Sequence, residues 1–325
     1  MQILTNHKMC QRLCMAALAT VCGSVLADEY PSKPVRMIVG FAPGGGTDAT
    51  ARPIAQKLTE LLGEQVIVDN RPGAGGNIAA DIVAKSNPDG YTVLMGTIAA
   101  LAINPGLYSK LPFDPEKDLL PVTQAVDSTN VLSLHPSVTA NSVKELIALA
   151  KTKSLSYGSS GVGGTGHLAG ELFNVMASTK LVHIPYKGGG PAMIDLVGGQ
   201  VQLVFATAAS AIPQIKSGRI KGIAVTTLKR SALMLELPTI AESGLAGYDA
   251  NNWYGVMVPA KTPRAIVMRL NKEIIKVLAM PDVKSILFSQ GLDPAPTTPE
   301  AFGTYIKIER TKWAKVIKTA GIKAE

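Results

Sequence analysis

Three glycine-rich turns hold the groups in this sequence best suited to chemistry. The first is Phe41-Ala42-Pro43-Gly44-Gly45-Gly46-Thr47-Asp48. The second is Tyr157-Gly158-Ser159-Ser160-Gly161-Val162-Gly163-Gly164-Thr165-Gly166-His167. The third is Tyr186-Lys187-Gly188-Gly189-Gly190-Pro191-Ala192-Met193. Each reads as the join between a strand and a helix. Glycine leaves backbone N–H groups uncovered, and the helix that follows aims its positive end and unpaired N–H groups at the turn. Such a turn holds a carboxylate or a phosphate, although an ordinary capped turn is an equal reading of any one of them. A fourth turn, Thr97-Ile98-Ala99-Ala100, closes the same face.

Other chemistries find less support. No Gly-Lys-Ser/Thr follows the first turn, so it is not a Walker loop. The second turn contains G-x-G-x-x-G at Gly161, Gly163 and Gly166, but the strand after it leads to Lys187 and not to the acid a dinucleotide site needs. Lys187 either meets an anion or faces solvent. Arg71 is an anion partner or a brace for its own turn. His135 and His183 read as structural. Trp253 and Tyr254 wall a cleft or pack in a core. There is no G-x-S-x-G or H-E-x-x-H, and nothing local supports a Ser–His–Asp site. All three cysteines (Cys10, Cys14, Cys22) precede residue 28, and four histidines leave little for a multi-ligand metal site. Neither a cofactor nor a catalytic residue is expected.

The elements that must position these turns alternate. Apolar strands are expected at 35–42, 65–69, 91–96, 131–134, 155–158, 181–186, 201–206, 220–226 and 253–258. Helices are expected at 77–85, 143–152, 167–178, 192–197, 209–217, 263–279, 283–290 and 299–319. A further helix should begin near Ala49 or Thr50, capped by Thr47 or Asp48, with Pro53 in its first turn and Gly63 at its end. This βαβ rhythm predicts an α/β fold with parallel-rich sheets flanked by helices, and ligand turns at the carboxyl ends of the strands. The repeated strand–turn–helix unit divides the chain into two lobes joined by a hinge. Lobe 1 is discontinuous, residues 28–127 plus 249–325, because the three C-terminal helices must return to it. Lobe 2 is residues 128–248.

Residues 1–27 have a different character. Lys8 and Arg12 precede an apolar run, and small residues lead up to Ala27. This is the pattern of a secretory signal peptide cut after Ala27, and the run is too short for a membrane span. The rest of the 325-residue chain has apolar material for a core, 46% hydrophobic against 17% charged, so it is not a disordered chain. A net charge of +8 with only 5% aromatics does not indicate a nucleic-acid binder.

Taken together, Phe41-Ala42-Pro43-Gly44-Gly45, Asn70-Arg71-Pro72-Gly73-Ala74-Gly75-Gly76, Tyr157-Gly158-Ser159 with Gly161 and His167-Leu168, Pro185-Tyr186-Lys187-Gly188 and Trp253-Tyr254-Gly255 make the chain resemble the Bug/TctC family, solute receptors of tripartite tricarboxylate transporters. The resemblance runs from about Tyr30 to the end. It implies a periplasmic binding protein of the second topological type, a monomer that closes on a small organic acid and presents it to membrane permease subunits. Ligand loops carried over by position are 42–48 (Ala42, Pro43, Gly44, Gly45, Thr47, Asp48), 97–100 (Thr97, Ala99), 159–167 (Ser159, Ser160, Gly161, Thr165, His167), 187–192 (Lys187, Gly188, Pro191, Ala192) and the strand end Ala206-Thr207. Many relatives place an Asp at that strand end; Ala206-Thr207 argues for a ligand without an amine. A ligand sensor for a two-component system, or an exported enzyme on the same scaffold, are the alternative readings.

Overall fold

The computed structural model describes residues 30–186 and 188–323. The expected signal peptide and Lys187 lie outside the described residues. In chain order, β1 (Val35–Val39), α1 (Gly46–Leu62), β2 (Val66–Asn70), a 3-10 turn (Ala74–Gly76), α2 (Asn77–Ala84), β3 (Thr92–Thr97), a π turn (Ala99–Ile103), α3 (Asn104–Leu107) and β4 (Leu119–Ser128) come first. Then follow β5 (Asn130–Leu134), α4 (Val143–Thr152), β6 (Ser156–Ser159), α5 (Thr165–Ala177), β7 (Val182–Pro185), α6 (Gly189–Val197), β8 (Leu203–Thr207), α7 (Ala208–Lys216) and β9 (Lys221–Val225). The chain ends with β10 (Asn252–Pro259), α8 (Arg264–Ala279), α9 (Pro281–Ser289), β11 (Leu292–Pro294) and α10 (Pro299–Ala320).

Two sheets result, ordered β11-β4-β10-β3-β1-β2 and β7-β6-β8-β5-β9. Each sheet with its helices is a lobe. The expected α/β class holds, with mixed sheets. The strands β1, β2 and β3 are parallel, as are β6, β7 and β8. Strands next to the two crossings between the lobes, near 125–130 and 248–252, run against them: β10 against β3 and β4, and β5 against β8 and β9. A strand that arrives from the other lobe needs no helical crossover, so nothing forces it to be parallel.

Two expectations need correction. Helix α1 begins at Gly46, with Gly45 as its N-cap, not at Ala49 or Thr50 with Thr47 or Asp48 as cap. The cause is Asp48: its carboxylate reaches back to accept the Gly44 N–H at 2.9 Å, folding the turn onto the helix start. Pro53 therefore lies inside the helix, not in its first turn. Second, the proline-rich stretch before the first crossing runs into a ten-residue strand, β4. Pro121 concealed it, and the register slips beside Pro121, where a missing N–H does least harm. Against lobe 1 the C-terminal helices pack unequally. Helices α8 and α9 pack there, but α10 packs against both β4 and the lobe 2 helix α5.

That last contact makes one apolar cluster continuous between lobes. Leu94 and Leu101 from lobe 1 join Leu132, Tyr157 and Phe173 from lobe 2, sealed by Trp253, Phe302 and Trp313. The Tyr248 hydroxyl donates to the Ala169 carbonyl at 2.8 Å within it. A second cluster lies between α1, α8 and the lobe 1 sheet, where Ile54, Leu58, Leu270 and Ile274 are buried. Fully burying each such side chain is worth about 1.5–3 kcal/mol, so these faces fix where the helix starts point.

Candidate functional site

Helices α1 and α5 direct their N-termini into a shared cavity of about 360 Å³ between the lobes. That is within the range of small-molecule sites. Both N-caps are glycine, Gly45 and Gly164, and neither helix has a side-chain cap. Their first N–H groups are left for a guest, and both dipole ends favour negative charge.

Lobe 1 contributes Phe41, Gly45, Gly46, Thr47, Gly75, Thr97, Ile98, Ala99, Asn104, Leu107 and Tyr108, with Asn252 and Tyr254 from β10. Lobe 2 contributes Ser160, Val162, Gly163, Gly164, Thr165 and Thr207. Asn104 donates to the Gly75 carbonyl at 3.3 Å and to Asn77 Oδ1 at 2.8 Å, which ties the 3-10 turn to the wall. The Asn252 amide donates to the Tyr254 hydroxyl at 3.3 Å. Burial pushes the Tyr254 phenol up from its ordinary value, so it stays neutral.

Two glycines are required by close approach. A Cβ at Gly46 would stand 2.8 Å from the Tyr254 hydroxyl oxygen. One at Gly163, which has φ +75°, would stand 2.7 Å from the Leu107 Cδ2 methyl. The second approach joins opposite lobes, so the walls of the cavity touch.

A polar underlayer supports the lobe 2 loop. The Gly163 N–H donates to His167 Nδ1 at 3.0 Å, and the His167 ring stacks on His183 with centroids 3.9 Å apart. His183 Nε2 lies 2.7 Å from Ser159 Oγ, which also accepts the Gly161 N–H at 3.1 Å. Burial lowers both imidazoles to about 4, with His183 adding to the effect on His167, so both are neutral near pH 7.

Of the residues expected from sequence, Gly45, Thr47, Thr97, Ala99, Ser160, Thr165 and Thr207 meet on the cavity wall. Ala42, Pro43, Gly44, Asp48, Ser159, Gly161, His167 and Ala206 do not line it. Asp48 is occupied by Gly44, by Arg52 Nε at 2.7 Å and by Asn70 Nδ2 at 3.0 Å. Burial raises its pKa, but those partners outweigh it and hold the carboxyl below the usual range. Gly188, Pro191 and Ala192, at the start of α6, do not line the cavity either; Ala192 is in the apolar cluster of lobe 2. Arg71 braces its own turn through Asp69 at 3.0 Å. Trp253 is core, whereas Tyr254 is wall. Sequence reasoning missed Phe41, Gly75, Asn104, Leu107, Tyr108 and Asn252; only Phe41, at the strand end before the first turn, and Gly75, in the glycine-rich motif at 70–76, carried a signal.

Among the described residues, no Asp, Glu, Lys, Arg or His lines the cavity. None of them forms a group of three or more potential metal ligands. No described helix is long and apolar enough to cross a membrane.

Residues 50–322 match the sequence model of the tripartite tricarboxylate transporter family receptor. The protein BugT of Bordetella pertussis is 36% identical over 94% of this chain and 95% of its own. Among solved structures, R. palustris Rpa4515 with adipate is 38% identical with a TM-score of 0.80, covering 91% of this chain and 99% of that one. MatC from Rhodopseudomonas palustris with bound malate is 29% identical with a TM-score of 0.76, covering 89% and 100%.

Proposed function

The chain belongs to the receptor family of tripartite tricarboxylate transporters, and on that premise we propose that its inter-lobe cavity captures a small organic acid that carries no ammonium group. The observation that carries this reading is a wall on which, among the described residues, no charged side chain lies, and into which two uncapped helix N-termini point. A carboxylate entering the cavity exchanges water for backbone N–H groups and for the hydroxyls of Thr47, Thr97, Thr165 and Tyr254. Hydrogen bonds to an ionised acceptor are short and strong. An ammonium group finds no acid there. Asp48, at the start of α1, is already occupied, and an unpaired buried charge costs several kcal/mol. The adipate bound by Rpa4515 and the malate bound by MatC have the same chemistry, carboxylates without an amine.

The family's receptors are periplasmic, and residues 1–27 would direct export of this chain and be cut off in the process. The ligand-contacting residues are the seven sequence candidates on the wall together with Asn104, Asn252 and Tyr254. Lobe 1 comprises residues 28–127 and 249–325, and lobe 2 residues 128–248. The closed monomer presents its shape to permease subunits of the transporter. Calorimetry on protein refolded free of ligand tests the reading, with the matched pairs succinate and aspartate, and glutarate and glutamate, plus adipate and malate. At least one plain acid binds, and its amino counterpart binds at least tenfold more weakly. No heat from any acid refutes the receptor reading; equal binding of an amino counterpart refutes the exclusion of amines.

A further inference from the structure

Both crossings between lobes converge on a cluster of acids. Asp127 lies near the end of β4, one residue before the strand ends at Ser128. Asn251, just ahead of β10 on the second crossing, donates to Asp127 Oδ1 at 2.6 Å, so one carboxylate ties the two crossing segments together. Gln124 Nε2 donates to the same oxygen at 2.6 Å. In the sheet, Asp127 is flanked on one side by Trp253 and on the other by Asp293 of β11. Asp293 in turn accepts a hydrogen bond from Ser231, on a lobe 2 loop, at 3.0 Å.

The surrounding charges are mostly negative. Asp249 lies on the second crossing. Glu309, buried on α10, binds Trp313 Nε1 at 3.0 Å. Tyr305, also on α10, receives a weaker bond from Asn251 at 3.3 Å and stays neutral. The one cation in the cluster, Lys312 on α10, is shared by Asp249 and Glu309. Among the described residues, no Lys, Arg or His lies within ion-pairing distance of Asp127 or Asp293. Burial, with Asp293 and Asp249 adding repulsion, pushes the Asp127 carboxyl up to about 6 despite its two amide partners. Burial also raises Asp293.

We propose that Asp127 makes the hinge proton-sensitive, so that mild acidification favours the lobe arrangement seen here over an opened one. Rotating the lobes about the crossings separates the Ser231 loop from β11 and admits water to the carboxylates. Hydrated, Asp127 returns to the ordinary carboxylate range, so closure takes up a proton. The sign follows from linkage: the form that binds the proton more tightly gains as pH falls. With the carboxyl near 6 when closed and near 4 when hydrated, the closed-to-open ratio rises about tenfold from pH 7.5 to pH 5.

The test needs no ligand, so its outcome is independent of what the cavity binds. The chain has two tryptophans, and Trp253 and Trp313 both border the cluster. Tryptophan emission and the radius of gyration from small-angle scattering are followed on ligand-free protein between pH 5 and 7.5. The wild type shows one transition centred between about pH 5 and 6, with the smaller radius on the acid side. Asp127→Asn abolishes it. Asp293→Asn keeps it but moves its centre to lower pH, which decides the matter if Asp127→Asn does not fold. A flat wild-type titration, a radius that does not change, or a transition unaltered by either variant overturns the proposal.

Discussion

Replacing Gly163 by alanine separates lobe closure from lobe stability. Two effects arise from the single added methyl. The first is backbone strain: φ is +75° here, and a side chain in the left-handed region costs about 1–2 kcal/mol. That strain lies within lobe 2 and is equal with the lobes apart or together, so it lowers the melting temperature and leaves binding alone. The second effect exists only when the lobes meet. The new Cβ stands 2.7 Å from the Leu107 methyl, whereas ordinary contact begins at 3.4 Å. Leu107 must retreat by roughly 0.7 Å, and pushing a side chain off its rotamer costs about 0.5–1.5 kcal/mol. Affinity should fall about 2- to 12-fold. The assay is calorimetry with the best acid from the panel on wild type, Gly163→Ala, Leu107→Ala and the double variant. In the Leu107→Ala background the binding penalty of Gly163→Ala should largely vanish while its thermal penalty persists. An equal binding penalty in both backgrounds, or none in either, refutes the claim that these walls meet on closure.

Gly46→Ala drives a methyl against the Tyr254 hydroxyl, an overpacking worth about 1–3 kcal/mol, so the melting temperature falls; Tyr254→Phe in the same protein recovers part of it in the same melts. Asp48→Asn destabilises the fold by about 1–3 kcal/mol in urea melts at pH 7, because a buried amide has one acceptor oxygen and cannot satisfy the Gly44 N–H, Arg52 and Asn70 together. The Asp48 carboxyl lies below its unfolded value, so its contribution is present above about pH 4 and is lost as pH falls through the folded pKa; the Asn variant lacks that loss. His167 and His183 act in a neighbouring window. Unfolded imidazoles gain protons near 6.5 but these only near 4, so stability falls as pH drops between those values, and thermal melts of His167→Asn show a shallower fall. Asp127 has the opposite slope over much of that window, since its folded pKa is raised; Asp127→Asn therefore steepens the acid loss.

The positions of the glycine turns were legible in the sequence because glycine runs after β-branched stretches mark strand-to-helix joins locally. What escaped notice was non-local. Strand β4 was concealed by Pro121, which a bulge accommodates. Asn104 and Tyr108 reach the wall only because a π turn after β3 redirects the chain, and no periodicity announces that. His167 and Ser159 sit in the right loops but face its underside, since a loop's sequence does not say which residues face the guest. The hinge cluster joins Asp127 to Asn251 over 124 residues, a pairing that only the fold creates.

Strand β10 occupies an interior place in its sheet, between β4 and β3, yet it is among the last strands in the chain. A polypeptide threaded from its first residue therefore leaves β3 with a vacant flank until residue 259 has emerged, and the layer formed by α8 is later still. The five strands of the other sheet arrive as one uninterrupted stretch and have no such wait. In a chain supplied from its N-terminus this order delays compaction: the half that comes first stays incomplete until nearly all the rest has followed.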